Sequence, residues 1–181
     1  MPAQPPETIE LPAGVLSRIR ESDAEQIAAA ARASMAHLQP WMPWATEAAL
    51  APEPQRAHAR QAQEQWAQDA AYLYTLRRNL DGPVLGTFGL HRRIGPGALE
   101  IGYWLHVGAT GQGYATQAAG ALTQAALALA DISRVEIHTD EGNKASAAVA
   151  QRLGYRLDRV DIRPAEAPAE TGRRQIWVSG S

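Results

Sequence analysis

A glycine-rich loop at residues 108–113 follows the most regular strand pattern of the chain and precedes a long helical pattern. Residues 98–107 alternate between two side-chain sets, which predicts a strand with two different faces. Residues 114–130 are rich in Ala and Leu and predict a helix. In such a loop, backbone N–H groups and the positive end of the helix dipole can converge on one point, which suits a phosphate group.

The loop does not have the spacing of two common nucleotide sites. No Lys-Ser/Thr pair follows Gly113, which excludes a Walker loop. A dinucleotide fingerprint opens an early strand–helix–strand unit, whereas this loop lies past mid-chain. Many packing turns also contain G-x-G, so the loop alone does not identify a function.

The remaining pattern predicts one α+β domain of three layers, in which helices flank a central twisted mixed sheet. Residues 1–14 contain four prolines and predict a flexible N-terminal arm, whereas residues 15–181 predict a single domain. The expected element order is β-α-α-β-β-β-α-β-α-β-β. Its segments are strand 14–20, helix 22–38, helix 54–68, strands 71–76, 84–90 and 98–107, helix 114–130, strand 134–139, helix 143–153, and strands 155–162 and 174–178.

Composition excludes several classes of protein. The chain has no cysteine, which excludes a disulfide scaffold, a zinc finger and a cysteine nucleophile. Its net charge of −2 lacks the basic excess of a nucleic-acid-binding surface, so we expect no nucleic-acid partner. We also expect no membrane association and a cytoplasmic location, because no apolar run has the length of a membrane span and the first residues do not resemble a signal peptide.

Several spaced motifs, in order along the chain, resemble the GNAT N-acetyltransferase superfamily and within it the RimJ/RimL type. They are Glu100-Ile-Gly-Tyr-Trp-Leu-His-Val107, Gly111-Gln-Gly-Tyr-Ala-Thr116, Asn143-Lys-Ala-Ser146, Arg152-Leu-Gly-Tyr155 and the aromatic loop Leu38-Gln-Pro-Trp-Met-Pro-Trp44. The resemblance extends from about Val15 to Val178 and implies the GNAT fold. Two positions depart from the superfamily pattern. Gly108 stands where a Gln or Arg is usual, and Ala150 stands where many members carry a Tyr that acts as the general acid.

The resemblance implies acetyl-CoA as cosubstrate, bound in a V-shaped gap between two splayed parallel strands. The implied cofactor-binding residues are Leu105, His106, Val107, Gly111, Gln112, Gly113, Tyr114, Ala115, Thr116, Asn143 and Ser146. The first three would bind the pantetheine arm through their main chain, and the glycine loop would receive the pyrophosphate. The implied acceptor-binding residues are Trp41, Trp44, Glu100 and Tyr103.

The implied reaction is acetyl transfer from the thioester to an amine. Without a cysteine we expect direct attack within a ternary complex. The resemblance places Glu100 as the base, directly or through a water, and Ser146 as the acid that meets the thiolate. A main-chain N–H near Val107 would polarise the thioester carbonyl.

Each of these residues also has a structural interpretation. Asn143 can be a helix N-cap, Ser146 a surface hydroxyl and Glu100 a solvated strand residue. Trp41, Trp44 and Tyr103 can be core residues. The five histidines have no metal-ligand spacing, so we expect no metal, and His91 and His106 are second choices for the base.

The RimJ/RimL resemblance favours a protein or peptide N-terminal α-amine as acceptor. A homodimer is an expectation at the level of the family. Two alternatives remain open, namely acetylation of a small amine (a polyamine, amino acid or antibiotic) and a non-catalytic acyl-CoA-binding module.

Overall fold

The computed structural model describes residues 3–180, which form eight strands and five α-helices. In chain order these are β1 (Thr8–Leu11), β2 (Gly14–Arg18), α1 (Ala24–Ala33), α2 (Met35–Leu38), α3 (Pro52–Ala67), β3 (Ala71–Arg77), β4 (Gly86–His91), β5 (Ala98–Leu105), α4 (Tyr114–Leu127), β6 (Arg134–Asp140), α5 (Lys144–Arg152), β7 (Arg156–Ile162) and β8 (Arg173–Gly180). Short 3-10 turns at Glu21–Asp23 and Val107–Ala109 precede α1 and α4.

The eight strands form one sheet in the order β1-β2-β3-β4-β5-β6-β8-β7. Strands β5 and β6 are parallel, whereas the other neighbouring pairs are antiparallel. A mixed sheet flanked by helices confirms the predicted α+β class.

Side-chain alternation along β5 divides the interior between the two faces of the sheet. Ile101 and Leu105 lie in a cluster with residues of α4 and α5, whereas Trp104 lies in a second cluster with residues of α1 and α3. The predicted two-faced strand is therefore present, and a helical layer covers each face.

Strands β5 and β6 separate at their carboxyl ends. Their pairing runs from Ala98↔Arg134 to Ile101↔Ile137, although β5 continues to Leu105 and β6 to Asp140. Over this stretch β5 stays paired with β4, and β6 stays paired with β8. Because each strand follows its other neighbour, a V-shaped gap opens between them.

The expected flexible arm is wrong for residues 8–11, which form strand β1. These residues alternate in the sequence Thr-Ile-Glu-Leu and pair antiparallel with β2 across a two-residue turn at 12–13. An edge strand tolerates flanking prolines because one side of its backbone needs no strand partner. Residues 1 and 2 of the expected arm lie outside the described residues.

The helix expected over 22–38 is interrupted at Ser34, which separates α1 from α2. The Ser34 hydroxyl donates to the Ala30 carbonyl oxygen (2.8 Å) and accepts from the Val107 N–H (2.9 Å). A serine side chain that bonds to the preceding turn competes with the helical hydrogen bonds. The interruption connects this helical segment to the end of β5.

Candidate active site

The glycine loop ends at the N-terminus of α4, as its sequence predicted. Gly111 and Gly113 have φ values of +71° and +81°, and Gly113 is the N-cap residue of α4. No side chain caps this helix end. The N–H groups of Tyr114, Ala115 and Thr116 belong to the first helical turn, where no intrahelical acceptor exists. They are available to an anionic group.

A cavity of about 720 Å³ lies beside this loop, at the gap between β5 and β6. We call it the cofactor cavity. Its lining includes Leu105, Gly111, Gly113, Tyr114, Ala115 and Thr116, together with Ser146 and Val149 from α5. The shape and lining suit an extended ligand with one phosphate-bearing end at the α4 N-terminus.

At the end of β5, only some of the main-chain N–H groups that the sequence predicted to bind the cofactor point into the gap. The His106 N–H donates to the Leu85 carbonyl (2.7 Å), and the Val107 N–H donates to Ser34. Because strand groups alternate in direction, the N–H groups of Tyr103 and Leu105 face the gap instead. The amides near Val107 that face the gap are therefore those of Tyr103 and Leu105, whereas the Val107 N–H itself is bound to Ser34.

Three predicted loop residues use their side chains within the protein. The His106 Nδ1 accepts from the Gly108 N–H (2.9 Å), and the Gln112 side chain donates to the Gly108 carbonyl (2.7 Å). Tyr114 is buried, and its hydroxyl accepts a hydrogen bond from Arg78. His106, Val107 and Gln112 do not line the cofactor cavity.

A second cavity of about 720 Å³ is lined by residues of β5 and β6. We call it the acceptor cavity. Both Trp41 and Trp44 line it, and the Trp44 ring lies 6.1 Å from the ring of Trp104, measured between centroids. Arg163, Glu166 and Glu170 of the loop between β7 and β8 also line it.

The two cavities share six residues, namely Trp41, Met42, Tyr103, Trp104, Asn143 and Ser146. At this junction the Tyr103 Oη lies 2.9 Å from the Ser146 Oγ. Burial raises the pKa of Tyr103, which keeps its hydroxyl protonated. The structure thus brings together two predicted residues and places a hydroxyl pair between the cavities.

Asn143 is the N-cap of α5, as one interpretation of the sequence expected. Its Oδ1 accepts from the Ser146 N–H (3.1 Å). The cap fixes the first turn of α5 and with it the position of Ser146. The capping role and a place at the junction are compatible, because Asn143 lines both cavities.

Glu100 lines the acceptor cavity but is buried and held by an arginine. Arg93 donates from Nε and Nη2 to its two carboxylate oxygens, each at 2.8 Å. Burial alone would raise the pKa of Glu100, but the hydrogen bonds from Arg93 and the nearby His138 and Arg174 outweigh it and lower that pKa. Glu100 is therefore an ionised carboxylate rather than a group near its titration point.

A buried Glu–His pair on β6 lies next to Glu100. The His138 Nε2 lies 2.5 Å from the Glu136 Oε2, and the His138 Nδ1 lies 3.8 Å from the Glu100 Oε2. Arg134 compensates the Glu136 charge at 2.9 Å. No sequence motif pointed to this pair. The pattern that could have indicated it is the alternation of polar side chains at 134, 136, 138 and 140, which lie on one face of a strand inside the sheet.

Asp140 organises the loop between β7 and β8. Its carboxylate accepts hydrogen bonds from Thr171, Gly172 and Gly142. The Ala169 N–H also donates to the Pro40 carbonyl (2.9 Å), which joins this loop to the aromatic loop. Local composition carries no information about partners so distant in sequence.

Within residues 3–180, no group of three or more His, Cys, Asp or Glu side chains has the arrangement of a metal site. In the same part of the chain, no helix is long and apolar enough to cross a membrane.

Known proteins share this architecture. Residues 15–156 match the family model described as an acetyltransferase (GNAT) domain. A comparison with curated proteins finds no match. The ribosomal-protein-S5-alanine acetyltransferase from Vibrio fischeri is similar in structure, with a TM-score of 0.86 at 20% identity over 96% of both chains.

Two further solved structures are similar along almost their whole length. RimL, a ribosomal L7/L12 alpha-N-protein acetyltransferase in complex with coenzyme A, has a TM-score of 0.86 at 23% identity over 96% of this chain and 98% of that chain. The microcin C7 self immunity acetyltransferase MccE, in complex with acetyl-CoA and AMP, has a TM-score of 0.87 at 19% identity over 99% of both chains. These likenesses agree in fold with the family match, and the chain belongs to the GNAT acetyltransferase family.

Proposed function

We propose that this protein transfers an acetyl group from acetyl-CoA to the α-amine of a protein or peptide N-terminus, by direct attack in a ternary complex. The observation that carries the proposal is the meeting of two cavities at the Tyr103–Ser146 pair. One cavity ends at a helix N-terminus suited to phosphate, and the other contains carboxylates suited to an ammonium group. A thioester and an amine bound in them would meet at the junction.

The chemistry of the amine favours an α-amine acceptor. An α-amine has a reference pKa of about 7.7–8.0, against about 10.4 for a Lys side chain. Neutralising it at pH 7 therefore costs about 1 to 1.4 kcal/mol, against about 4.6 kcal/mol for Lys. Two similar structures, those of an S5-alanine acetyltransferase and an L7/L12 alpha-N-protein acetyltransferase, support the same acceptor class.

Different residues of the site have different roles in the proposed reaction. The α4 N-terminus binds the pyrophosphate, and the Tyr103 and Leu105 amides hold the pantetheine arm and the thioester carbonyl. The ionised Glu100 attracts the ammonium group of the acceptor. The Tyr103–Ser146 pair supplies a proton to the departing thiolate, because its hydroxyls lie where the two ligands meet.

A small amine is the second candidate acceptor. The hydrogen bond between Ala169 and Pro40 joins two loops that both border the acceptor cavity, which favours a compact acceptor over a long peptide. The MccE structure, a complex with acetyl-CoA and AMP, supports this candidate.

An amine panel tests both candidates. It contains peptides with free N-terminal Ala or Ser, the same peptides with a blocked N-terminus and an internal Lys, and spermidine and free amino acids. Release of CoA thiol is measured directly, since the chain has no cysteine to add background. Mass spectrometry locates the acetyl group.

We expect turnover on the free N-termini at least about tenfold above the blocked peptides, in line with the pKa difference between the two amines. Turnover confined to the small amines would replace the peptide proposal by the second candidate. Tight acetyl-CoA binding without turnover on any amine would make the protein an acyl-CoA-binding module.

A further inference from the structure

We propose that His138, oriented by Glu136, is the proton acceptor for the attacking amine, and that Glu100 orients and attracts that amine without accepting its proton. The inference rests on the proposed amine acetylation and names the group that performs one of its steps. It transfers the base role from Glu100, where the family resemblance placed it, to a residue on the neighbouring strand.

The geometry of the Glu136–His138 pair leaves one ring nitrogen for chemistry. An ionised carboxylate only accepts hydrogen bonds, so the contact of 2.5 Å assigns a proton to the His138 Nε2. In the neutral ring the Nδ1 then carries a lone pair. This Nδ1 is buried and has no hydrogen-bond partner among the described residues, while His138 lines the acceptor cavity.

The Nδ1 lies at a distance from Glu100 that suits a bridging water. Its separation of 3.8 Å from the Glu100 Oε2 exceeds a direct hydrogen bond. A water or the ammonium group of the acceptor between these two atoms satisfies both of them. The His138 side chain is 8% exposed and the Glu100 side chain 6%, so bulk solvent does not provide an alternative partner.

Charge compensation around Glu100 explains why the carboxylate is the weaker proton acceptor. Two hydrogen bonds from Arg93 stabilise its charged form and contribute to its lowered pKa. A proton acceptor works best when its affinity is close to that of the donor. The reference pKa of an imidazole is closer to that of an α-amine than the reference pKa of a carboxylate is, and hydrogen bonds from an arginine increase the difference for the carboxylate.

Charged groups on three strands surround His138. Those facing it are Glu136 on β6, Glu100 on β5 and Arg174 on β8, with Arg93 reaching the same site from beyond β4. Two carboxylates flank the imidazole directly. Arg174 is 3.8 Å from Glu100, and both arginines are directed to that carboxylate.

The proton balance of the step is complete. The ammonium group gives one proton to the His138 Nδ1, directly or through the bridging water, and His138 releases it through the acceptor cavity after the acetylated product leaves. The amine lone pair forms the C–N bond as the C–S bond breaks. The thiolate takes a proton from the Tyr103–Ser146 pair, which recovers it from the nitrogen of the new amide.

The test compares His138→Gln with Glu100→Gln and His91→Gln. The Gln side chain at 138 keeps a donor for Glu136 but does not titrate. We expect His138→Gln to lower kcat/KM at pH 7 by about 10²-fold and to regain most of that loss above the pKa of the amine, where the acceptor binds already neutral. Glu100→Gln should instead raise KM for the amine at both pH values. His91→Gln should not show the pH-dependent loss, because burial and then Arg93 lower the pKa of His91 to about 4.

A loss of kcat/KM in His138→Gln that is absent at pH 7, or equal at pH 7 and above the pKa of the amine, would overturn the inference. A second measurement does not depend on turnover or on a variant. The ¹⁵N shifts of the His138 ring in the wild-type protein should be those of the Nε2–H tautomer, and the Nδ1–H tautomer would equally overturn it. Absence of any amine turnover in the wild type would instead count against the proposed function itself.

Discussion

At position 111, the lack of a side chain has a conformational role and a spatial role. Gly111 has φ +71°, and a Cβ built on it would meet no atom within 4 Å. Gly154, after α5, has φ +76° and equally open surroundings. An L side chain in this region costs about 1–2 kcal/mol. The two glycines therefore share one backbone requirement, and only Gly111 borders the cofactor cavity.

This contrast gives a prediction for Gly111→Ala, with Gly154→Ala as the matched control. Both variants should lose about 1 kcal/mol of unfolding free energy. Only Gly111→Ala should also weaken acetyl-CoA binding, since its methyl group enters the space that a phosphate would approach. Urea unfolding and calorimetric titration provide the two measurements. Equal acetyl-CoA affinities in the two variants would contradict a phosphate site at this loop.

Among the elements, the loop between β7 and β8 depends on a side chain from another strand. Asp140, at the end of β6, is 7% exposed, and its hydrogen bonds to Thr171 and Gly172 hold the end of this loop. Burial would raise the pKa of Asp140, but these hydrogen bonds outweigh it and lower that pKa. The carboxylate thus stabilises the wall of the acceptor cavity.

Asp140→Ala should therefore affect the acceptor and not the cofactor. We expect KM for the amine to rise about tenfold and stability to fall by about 1–3 kcal/mol, because buried N–H groups lose their acceptor. The dissociation constant of acetyl-CoA should stay the same. Asp158→Ala is the control, since that carboxylate pairs with Arg156 and Arg159 on the surface. An unchanged KM in Asp140→Ala would show that this loop does not shape the acceptor site.

For the whole molecule, two cavities share residues at the end of β5 and the start of α5. Some titratable groups of the acceptor cavity are buried, and these contribute to the pH dependence of folding. His91 illustrates this, because burial first and Arg93 second lower its pKa to about 4. In the unfolded chain an imidazole titrates near ~6.5.

Between these two values the unfolded state binds a proton that the folded state does not. The stabilisation by neutral His91 is complete above about pH 6.5 and is lost as the pH falls towards 4. From pH 7 to 4.5, the unfolding free energy of the wild type should fall about 2 kcal/mol more than that of His91→Gln. Urea unfolding at both pH values measures the difference. Parallel losses would mean that His91 is not buried as a neutral ring.

The fold followed from local sequence patterns to a large extent. The alternation over 98–107 predicted β5, and the glycine loop predicted the N-terminus of α4 at Tyr114. These features depend on residues within a few positions of each other, so the sequence carries them directly. Strand β1 was missed because proline composition outweighed a short alternating segment, and the break at Ser34 was missed because its partner Val107 is distant in sequence.

The same distinction between local patterns and contacts distant in sequence applies to the candidate site. The sequence alone determined which loop can receive phosphate, because backbone conformation and helix polarity are local properties. Only the tertiary structure decided that Arg93 holds Glu100, that Tyr103 meets Ser146 and that His138, which has an unpartnered nitrogen, lines the acceptor cavity. Burial and ionic contacts between separate strands determine the charge and orientation of these groups, and no local pattern specifies them.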